Sequence, residues 1–307
     1  MAAQGTNDKF LARMDALMTQ NPWNPRLFPF AAYIVFLFIS DQLAELVDPR
    51  TVPLTYTLQC GIVGWLLWRY RKLLPELTLS FHWLAVPVGV IVFAAWILLG
   101  WLMAGEFSLR WEALMQGEPL ARIDYEALDR DVPPLATTEA HRLETMLETS
   151  PAIGWATLIL RLLGMSIVVP LFEELFIRSL MLRSLHTWRL TKIGLGQIAQ
   201  DMPALGDWID SSERGDRLNR YPPIFSRQFL ATPLGRLSLF GVFASTFIFT
   251  LSHGIRDWPG CVVCGVAYCL ILAATRHKGL GPVCWAHGIT NALLWVYTVQ
   301  AGDWQFL

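Results

Sequence analysis

Long apolar stretches separated by polar connections dominate the chain from residue 27 onward. A bilayer core about 30 Å thick requires about 20 mostly apolar residues per helix, and several stretches reach that length. We therefore predict an all-α fold, a polytopic membrane bundle of about seven transmembrane helices around a central polar cavity. The predicted spans are Leu27–Val47, Pro53–Arg69, His82–Gly105, Pro151–Leu185, Leu237–His253, Cys261–Arg276 and Pro282–Gly302.

The polar segments divide the chain into three predicted parts. Residues 1–26 form a polar N-terminal segment, and residues 27–150 hold three spans followed by an acidic extramembrane segment over 105–150. Residues 151–307 form a second membrane bundle, which a basic loop over 186–236 interrupts. Arg and Lys concentrate in the N-terminal segment and in the connections after the second and sixth spans. This distribution predicts that the N-terminus and the 186–236 loop are cytoplasmic.

Composition supports a membrane protein and argues against a nucleic-acid partner. Hydrophobic residues make up 54% of the chain and charged residues 16%, whereas soluble domains average about 25% charged residues. The net charge of −1 gives no basic footprint for nucleic acid. The expected surroundings are therefore a lipid bilayer, with no nucleic-acid partner.

The fourth predicted span contains charged residues within an apolar run, Pro-Leu-Phe-Glu-Glu-Leu-Phe-Ile-Arg from Pro170 to Arg178. Each unpaired charge inside a bilayer costs at least about 2.5 kcal/mol. Glu174 and Arg178 have i,i+4 spacing and are predicted to form a structural ion pair. Glu173 lies about 100° around the helix and is left for another role. Pro170 predicts a kink. Taken alone, a packing ion-pair cluster explains the same residues equally well.

Two further spans carry histidines. His253 follows Phe249 by four residues at the end of the fifth span, and His287 precedes Asn291 by four residues in the seventh. A single histidine on an apolar helix is more often an interhelical hydrogen-bonding residue than a catalyst. Here Glu173 supplies a carboxylate base, and the two histidines supply imidazoles that orient groups or donate protons. Asn291 supplies an amide N–H for a developing oxyanion. The set predicts attack of water on a peptide carbonyl.

The order Glu-Glu-x-x-x-Arg, Phe-x-x-x-His, His-x-x-x-Asn resembles the CPBP family of CAAX-processing and bacteriocin-related proteases, which is similar to the type II CAAX prenyl endopeptidases. The resemblance covers residues 150–302. It implies that Glu173 with His253 activates the attacking water. It also implies that His287 and Asn291 lie where the oxyanion forms, and that the substrate is a membrane-anchored protein or peptide.

The resemblance leaves the cofactor open. Members of the family are described both as metalloproteases and as metal-independent glutamate proteases, so the mechanism requires no cofactor strictly and zinc stays an alternative. Cys261 and Cys264 have the spacing of a metal-binding pair, but no second pair completes a site.

Two further questions stay open at this stage. Residues Phe28–Phe38 weakly resemble the exosortase-associated subgroup of this family. This resemblance implies that the membrane is a bacterial inner membrane. The alternative to a protease is a non-enzymatic scaffold or transporter-like protein with a buried ion-pair site.

Overall fold

A computed structural model describes residues 2–46, 52–103, 146–186 and 229–301, and also residues 199, 208, 209 and 211. The described residues form helices and their connections and contain no strand, which confirms the all-α prediction. Most of the predicted acidic segment and of the 186–236 loop lies outside them. The helices are α1 Ala2–Gln20, α2 Asn24–Leu46, α3 Val52–Tyr70, α4 Ala85–Met103, α5 Pro151–Ser184, α6 Leu239–Leu251, α7 Trp258–Thr275 and α8 Gly281–Ala301.

Helices α2 to α8 correspond in order to the seven predicted spans, and α1 is formed by the polar N-terminal segment. By length and composition, α4, α5 and α7 are long and apolar enough to cross a membrane, while Asn24–Ser40 and α6 are shorter apolar helices. The predicted membrane helix bundle is confirmed. Several predicted boundaries need correction by two or three residues. Helices α2 and α7 begin three residues earlier than predicted, α4 begins three residues after His82, and α6 begins two residues late and ends two residues before His253.

Helix α5 continues through Pro170, where a kink was predicted. Two π-helical segments, Gly164–Val168 and Leu175–Met181, flank the α-helical turn Val169–Glu174. A π segment accommodates an extra residue in a helix and is often found at functional sites. The sequence therefore widens α5 on both sides of its two glutamates instead of breaking it.

The charged turn of α5 lies in the centre of the bundle. Helix α5 contacts α2, α3, α6 and α8, and α8 in turn packs against α4 and α7. Phe172, Leu175 and Leu180 of α5 are fully buried in the main apolar core. The core therefore encloses the glutamates that follow Phe172 and separates them from the outer faces of the bundle.

Cationic residues collect at one end of the bundle, where α2, α4, α6 and α8 begin and α3, α5 and α7 end. Arg69 at the end of α3 pairs with Asp15 of α1 at 2.7 Å. Arg26 at the start of α2 pairs with Glu76 at 2.6 Å, and the Glu76 carboxylate also accepts a hydrogen bond from Ser179 of α5. These contacts fix α1 and the connection after α3 at this basic end.

Candidate active site

Helix α8 binds the backbone of α5 next to Pro170. Pro170 has no N–H, so a carbonyl one turn earlier in α5 lacks its usual partner. In the adjoining π segment, the Met165 carbonyl accepts a hydrogen bond of 2.7 Å from Asn291 Nδ2. Gly288 lies so close to the Ser166 carbonyl oxygen that a Cβ atom at this position would overlap it. The two helices are therefore in close contact beside the charged turn.

Glu173 presents one carboxylate oxygen that has no hydrogen-bond partner in the described part of the chain. The residue is 8% exposed, and its Oε2 lies 3.7 Å from Nε2 of His287. This oxygen has no hydrogen-bond partner among the described residues. Because buried polar atoms are nearly always hydrogen-bonded, an open acceptor in this position suits a water molecule or a substrate group.

Glu174 lies beside the guanidinium of Arg178 and the imidazole of His287. It is 1% exposed, and its Oε2 is 3.3 Å from Nε of the fully buried Arg178, so the two side chains are adjacent, as their spacing requires. Its Oε1 is 2.8 Å from Nδ1 of His287. Since an ionised carboxylate can only accept, Nδ1 carries the proton, and Nε2 of the same ring faces Glu173. His287 thus lies between the two glutamates.

His253 lies in the turn after α6 and not within a helix. Its Nδ1 is 2.9 Å from the Phe249 carbonyl oxygen, so Nδ1 donates and Nε2 is left as an acceptor. The rings of Phe249 and Trp96 lie 4.5 and 5.8 Å from the imidazole. Helix α6 has only 13 residues and rises about 20 Å. Its short length brings His253 level with the middle of the longer helices, close to Asn291.

Two residues that the sequence interpretation missed hold His287 in place. The Tyr268 ring lies 5.3 Å from the imidazole, and its hydroxyl donates to Thr290 Oγ1 at 2.8 Å. The Thr290 hydroxyl lies 2.9 Å from the Gly89 carbonyl oxygen of α4. The i,i+3 spacing of His287 and Thr290 could have indicated Thr290, whereas only the packing of α7 against α8 identifies Tyr268.

The site consists of two small adjoining cavities. The histidine lobe, about 210 Å³, is lined by all four predicted catalytic residues, Glu173, His253, His287 and Asn291. The arginine lobe, about 230 Å³, shares Glu173, His253 and Asn291 with it and extends toward Arg161. A larger groove of about 930 Å³ lies along α6 and α7, but its lining contains no charged residue. The structure thus brings the predicted residues together, and their catalytic roles stay predictions.

The donor geometry does not match a metal centre. Among the residues that the structure describes, no group of three or more His, Cys, Asp or Glu side chains is arranged to hold a metal ion. Nδ1 of His287 is bound to Glu174, and Cys261 and Cys264 are buried free thiols. The donors in the described part of the chain therefore do not fit a metal ion.

Comparison with known proteins supports the family resemblance. Residues 224–293 match the family model described as Rce1-like, "Type II CAAX prenyl endopeptidase Rce1-like". The match covers less than half of the chain and includes the second and third motifs, which end at His253 and Asn291. No curated protein and no solved structure matches the chain significantly. The resemblance to the CPBP family is thus confirmed in this region and supports a membrane-embedded protease, while the exosortase-associated subgroup stays a prediction.

Proposed function

We propose, from the premise that residues 224–293 form an Rce1-like endopeptidase region, that this chain is an intramembrane endopeptidase. Its substrate would be a membrane-anchored protein or peptide. The observation that carries the proposal is the buried Oε2 of Glu173, which has no hydrogen-bond partner in the described part of the chain. Glu173 also lines a cavity together with two histidines and an amide. A non-enzymatic scaffold would account for the pair of Glu174 and Arg178, but not for the convergence of Glu173 with two histidines and an amide on one cavity.

The contact between Glu173 and His287 favours a bound water. With Nδ1 of His287 donating to Glu174, its Nε2 is an acceptor, and the nearest oxygen of Glu173 is also an acceptor at 3.7 Å. Two acceptors at this separation are too far apart to share a proton, but both can accept from one bridging water. A water held here would lie next to the base that the proposal requires.

In the proposed reaction, water attacks the carbonyl carbon of the substrate and gives a proton to Glu173, while His253 orients the water through Nε2. The C–O bond forms and the carbonyl π pair moves to oxygen. The C–N bond then breaks, and Glu173 returns the proton to the leaving amine. As the C–N bond breaks, the oxyanion pair re-forms the C=O bond, which yields one carboxylic acid and one amine that exchange a proton to give a carboxylate and an ammonium group. The sequence regenerates the Glu173 carboxylate and needs no reactant besides water.

The oxyanion in this scheme accepts a hydrogen bond from Asn291, because His287, with its Nδ1–H bound to Glu174 and Nε2 as an acceptor, can donate there only in its protonated form. Asn291 uses one amide hydrogen on the Met165 carbonyl, which fixes the side chain and leaves its second N–H for the oxyanion. An N–H donor held rigidly before the reaction begins stabilises developing charge more effectively than one that must reorient. The backbone contact therefore supports the role proposed for Asn291.

We further propose that the N-terminus and the basic end face the cytoplasm of a bacterial inner membrane. Arg26, Arg69 and Arg183 lie at this end, in agreement with the tendency of cationic connections to remain inside. A Lys278→Cys variant should react with an impermeant maleimide only in inside-out vesicles. Labelling of this position in intact cells would reverse the orientation.

Trapping in native membranes tests the enzymatic proposal. Glu173→Gln keeps the side-chain shape and removes the base, so it should retain a membrane-anchored protein that the parent cleaves and releases. Mass spectrometry of new chain ends should find the corresponding cleavage with the parent and with Cys261→Ala, whose thiol does not line the histidine lobe. Identical chain ends with Glu173→Gln and the parent would contradict the proposal.

A further inference from the structure

A cationic pocket of about 470 Å³ lies at the basic end of the bundle. It forms where the end of α1, the start of α2, the connection after α3, the end of α5 and residues 229–234 meet. Its charged lining residues are Arg26, Glu76 and Arg183, and it shares no lining residue with the histidine lobe or the arginine lobe. Small-molecule sites typically have volumes of about 300–1,000 Å³. The pocket is therefore large enough for a small ligand and is separate from the proposed active site.

The pocket contains one positive charge that no side chain balances. Arg26 forms a bidentate pair with Glu76, with Nε 2.6 Å from Oε1 and Nη2 2.8 Å from Oε2. Arg183 instead donates to neutral oxygens, including the backbone carbonyls of Thr232 and Phe229 at 2.8 and 2.9 Å. No carboxylate pairs with Arg183 in the part of the chain that the structure describes. Because its guanidinium is half-buried, an anion in the pocket would offset the cost of removing this charge from water.

Both arginines keep N–H donors for a ligand. A guanidinium has five N–H groups, and Arg183 uses three of them, the third on the Ser179 hydroxyl at 3.3 Å. Arg26 also uses three, two on Glu76 and one on the Pro22 carbonyl oxygen. The Glu76 carboxylate accepts from Arg26 and Ser179, so it is already occupied. Two N–H groups on each arginine are thus left for a ligand among the described residues.

Phe229 holds the two guanidinium groups near each other. The guanidinium carbon of Arg26 lies 4.8 Å from the centroid of the Phe229 ring, and that of Arg183 lies 4.0 Å from it. The two carbons are therefore at most 8.8 Å apart, the sum of these distances. Phe229 is 2% exposed and belongs to the main core, which fixes the ring. Two like charges held this close attract one anion that has several acceptor oxygens.

We infer that this pocket binds a phosphate group, supplied by an anionic lipid headgroup or by a soluble phosphate. Phosphate oxygens match the paired N–H donors of a guanidinium, and Arg183 remains charged at any physiological pH. The exposed side chain of Leu230 lines the pocket beside Arg183 and offers an apolar contact to a lipid. A bound phosphate supplies the missing counterion of Arg183 and links the start of α2 to the end of α5.

The experiment uses the full chain in phosphatidylcholine nanodiscs under three conditions: no addition, phosphatidylglycerol in the bilayer, or inorganic phosphate in the buffer at constant ionic strength. Thermal unfolding and native mass spectrometry of bound lipid are measured. Thr19→Glu adds a carboxylate to the pocket lining at an exposed position of α1, so it should repel the ligand and leave the core intact. Gln20→Glu adds the same charge at the next exposed residue, which does not line the pocket, and is the matched control.

The parent should unfold at a higher temperature in at least one of the two phosphate conditions. Thr19→Glu and Arg183→Gln should bind the effective probe about tenfold more weakly than the parent, the scale of one hydrogen bond to a charged group. Gln20→Glu should match the parent, and Arg183→Lys, which keeps the charge, should retain part of the affinity. An effect of phosphatidylglycerol alone identifies a lipid headgroup as the source, whereas an effect of inorganic phosphate identifies a soluble one.

Three results would overturn the phosphate site. The first is no effect of either probe on the parent, and the second is equal weakening by Thr19→Glu and Gln20→Glu, which indicates a diffuse surface attraction. The third is parent affinity in a folded Arg183→Gln protein. Thr19→Glu leaves both arginines in place, so the comparison with Gln20→Glu decides the matter even if Arg183→Gln does not fold. Cleavage is not measured, so the outcome is independent of the proposed function.

Discussion

Glu174→Gln should destabilise the protein while Glu173→Gln should not, although the two residues are adjacent. Removing the charge of Glu174 leaves the fully buried guanidinium of Arg178 without the carboxylate that lies 3.3 Å away. Breaking a buried ion pair on one side typically costs about 3–5 kcal/mol. This free energy lowers the folded-to-unfolded ratio by about 10²- to 10⁴-fold. Glu173→Gln instead removes a buried carboxylate oxygen that has no hydrogen-bond partner in the described structure, so stability should be unchanged or slightly raised.

Unfolding of the purified variants in nanodiscs, together with membrane abundance from immunoblots, measures this difference. Glu174→Gln should unfold at lower temperature and accumulate to a lower level than Glu173→Gln. Combining Glu174→Gln with Arg178→Met should recover most of the stability, because replacing both charges of a buried pair is often neutral. Equal stability of the parent and Glu174→Gln, or no recovery in the double variant, would refute the ion-pair reasoning.

Three further outcomes follow from contacts outside this pair. Asn291→Ala should lower the cleavage rate by about 10²- to 10³-fold, the scale for one oxyanion donor. If a kinetic assay found the same rate for Asn291→Ala and the parent, Asn291 would not be an oxyanion donor. Gly288→Ala should cost about 1–3 kcal/mol of unfolding free energy by forcing α8 away from α5, whereas Gly61→Ala, with no atom within 4 Å of its added Cβ, should cost nothing in the same thermal assay. Burial alone would raise the pKa of Glu76, but its bonds to Arg26 lower that pKa below the ordinary value of 4.5. The unfolding free energy contributed by the pair of Glu76 and Arg26 should thus be present above pH 4.5 and be lost as the pH falls below it. A Glu76→Gln variant whose stability depends on pH as strongly as that of the parent would contradict this.

The sequence predicted the helices and indicated residues that line the histidine lobe, because both depend on local patterns. Apolar length identified α2 to α8, and the i,i+4 spacing of Glu174 and Arg178 was sufficient to place the two side chains side by side. A charge within an apolar run indicated Glu173 as a candidate site residue. These features require no knowledge of how the helices pack.

Features that depend on packing between helices could not be predicted. The contact of His287 with both glutamates requires the close approach of α5 and α8 at Gly288, which the spacing within either helix does not reveal. The position of His253 depends on the short length of α6, and its boundary was placed two residues too late. Arg161 and Glu173 line the same lobe, whereas regular α-helical periodicity places the two residues about 120° apart.

The most direct test of the central claim compares the parent and Glu173→Gln proteins after purification and reconstitution at equal folded amounts. A membrane-anchored peptide identified by trapping serves as the substrate, and initial rates are measured under single-turnover conditions with Cys261→Ala as the control. The account predicts that Glu173→Gln lowers the rate by about 10²- to 10⁴-fold, the contribution of a positioned general base, with unchanged substrate binding and a parent rate for Cys261→Ala. Cleavage by Glu173→Gln at the parent rate would contradict the assignment of Glu173 as the base that activates water.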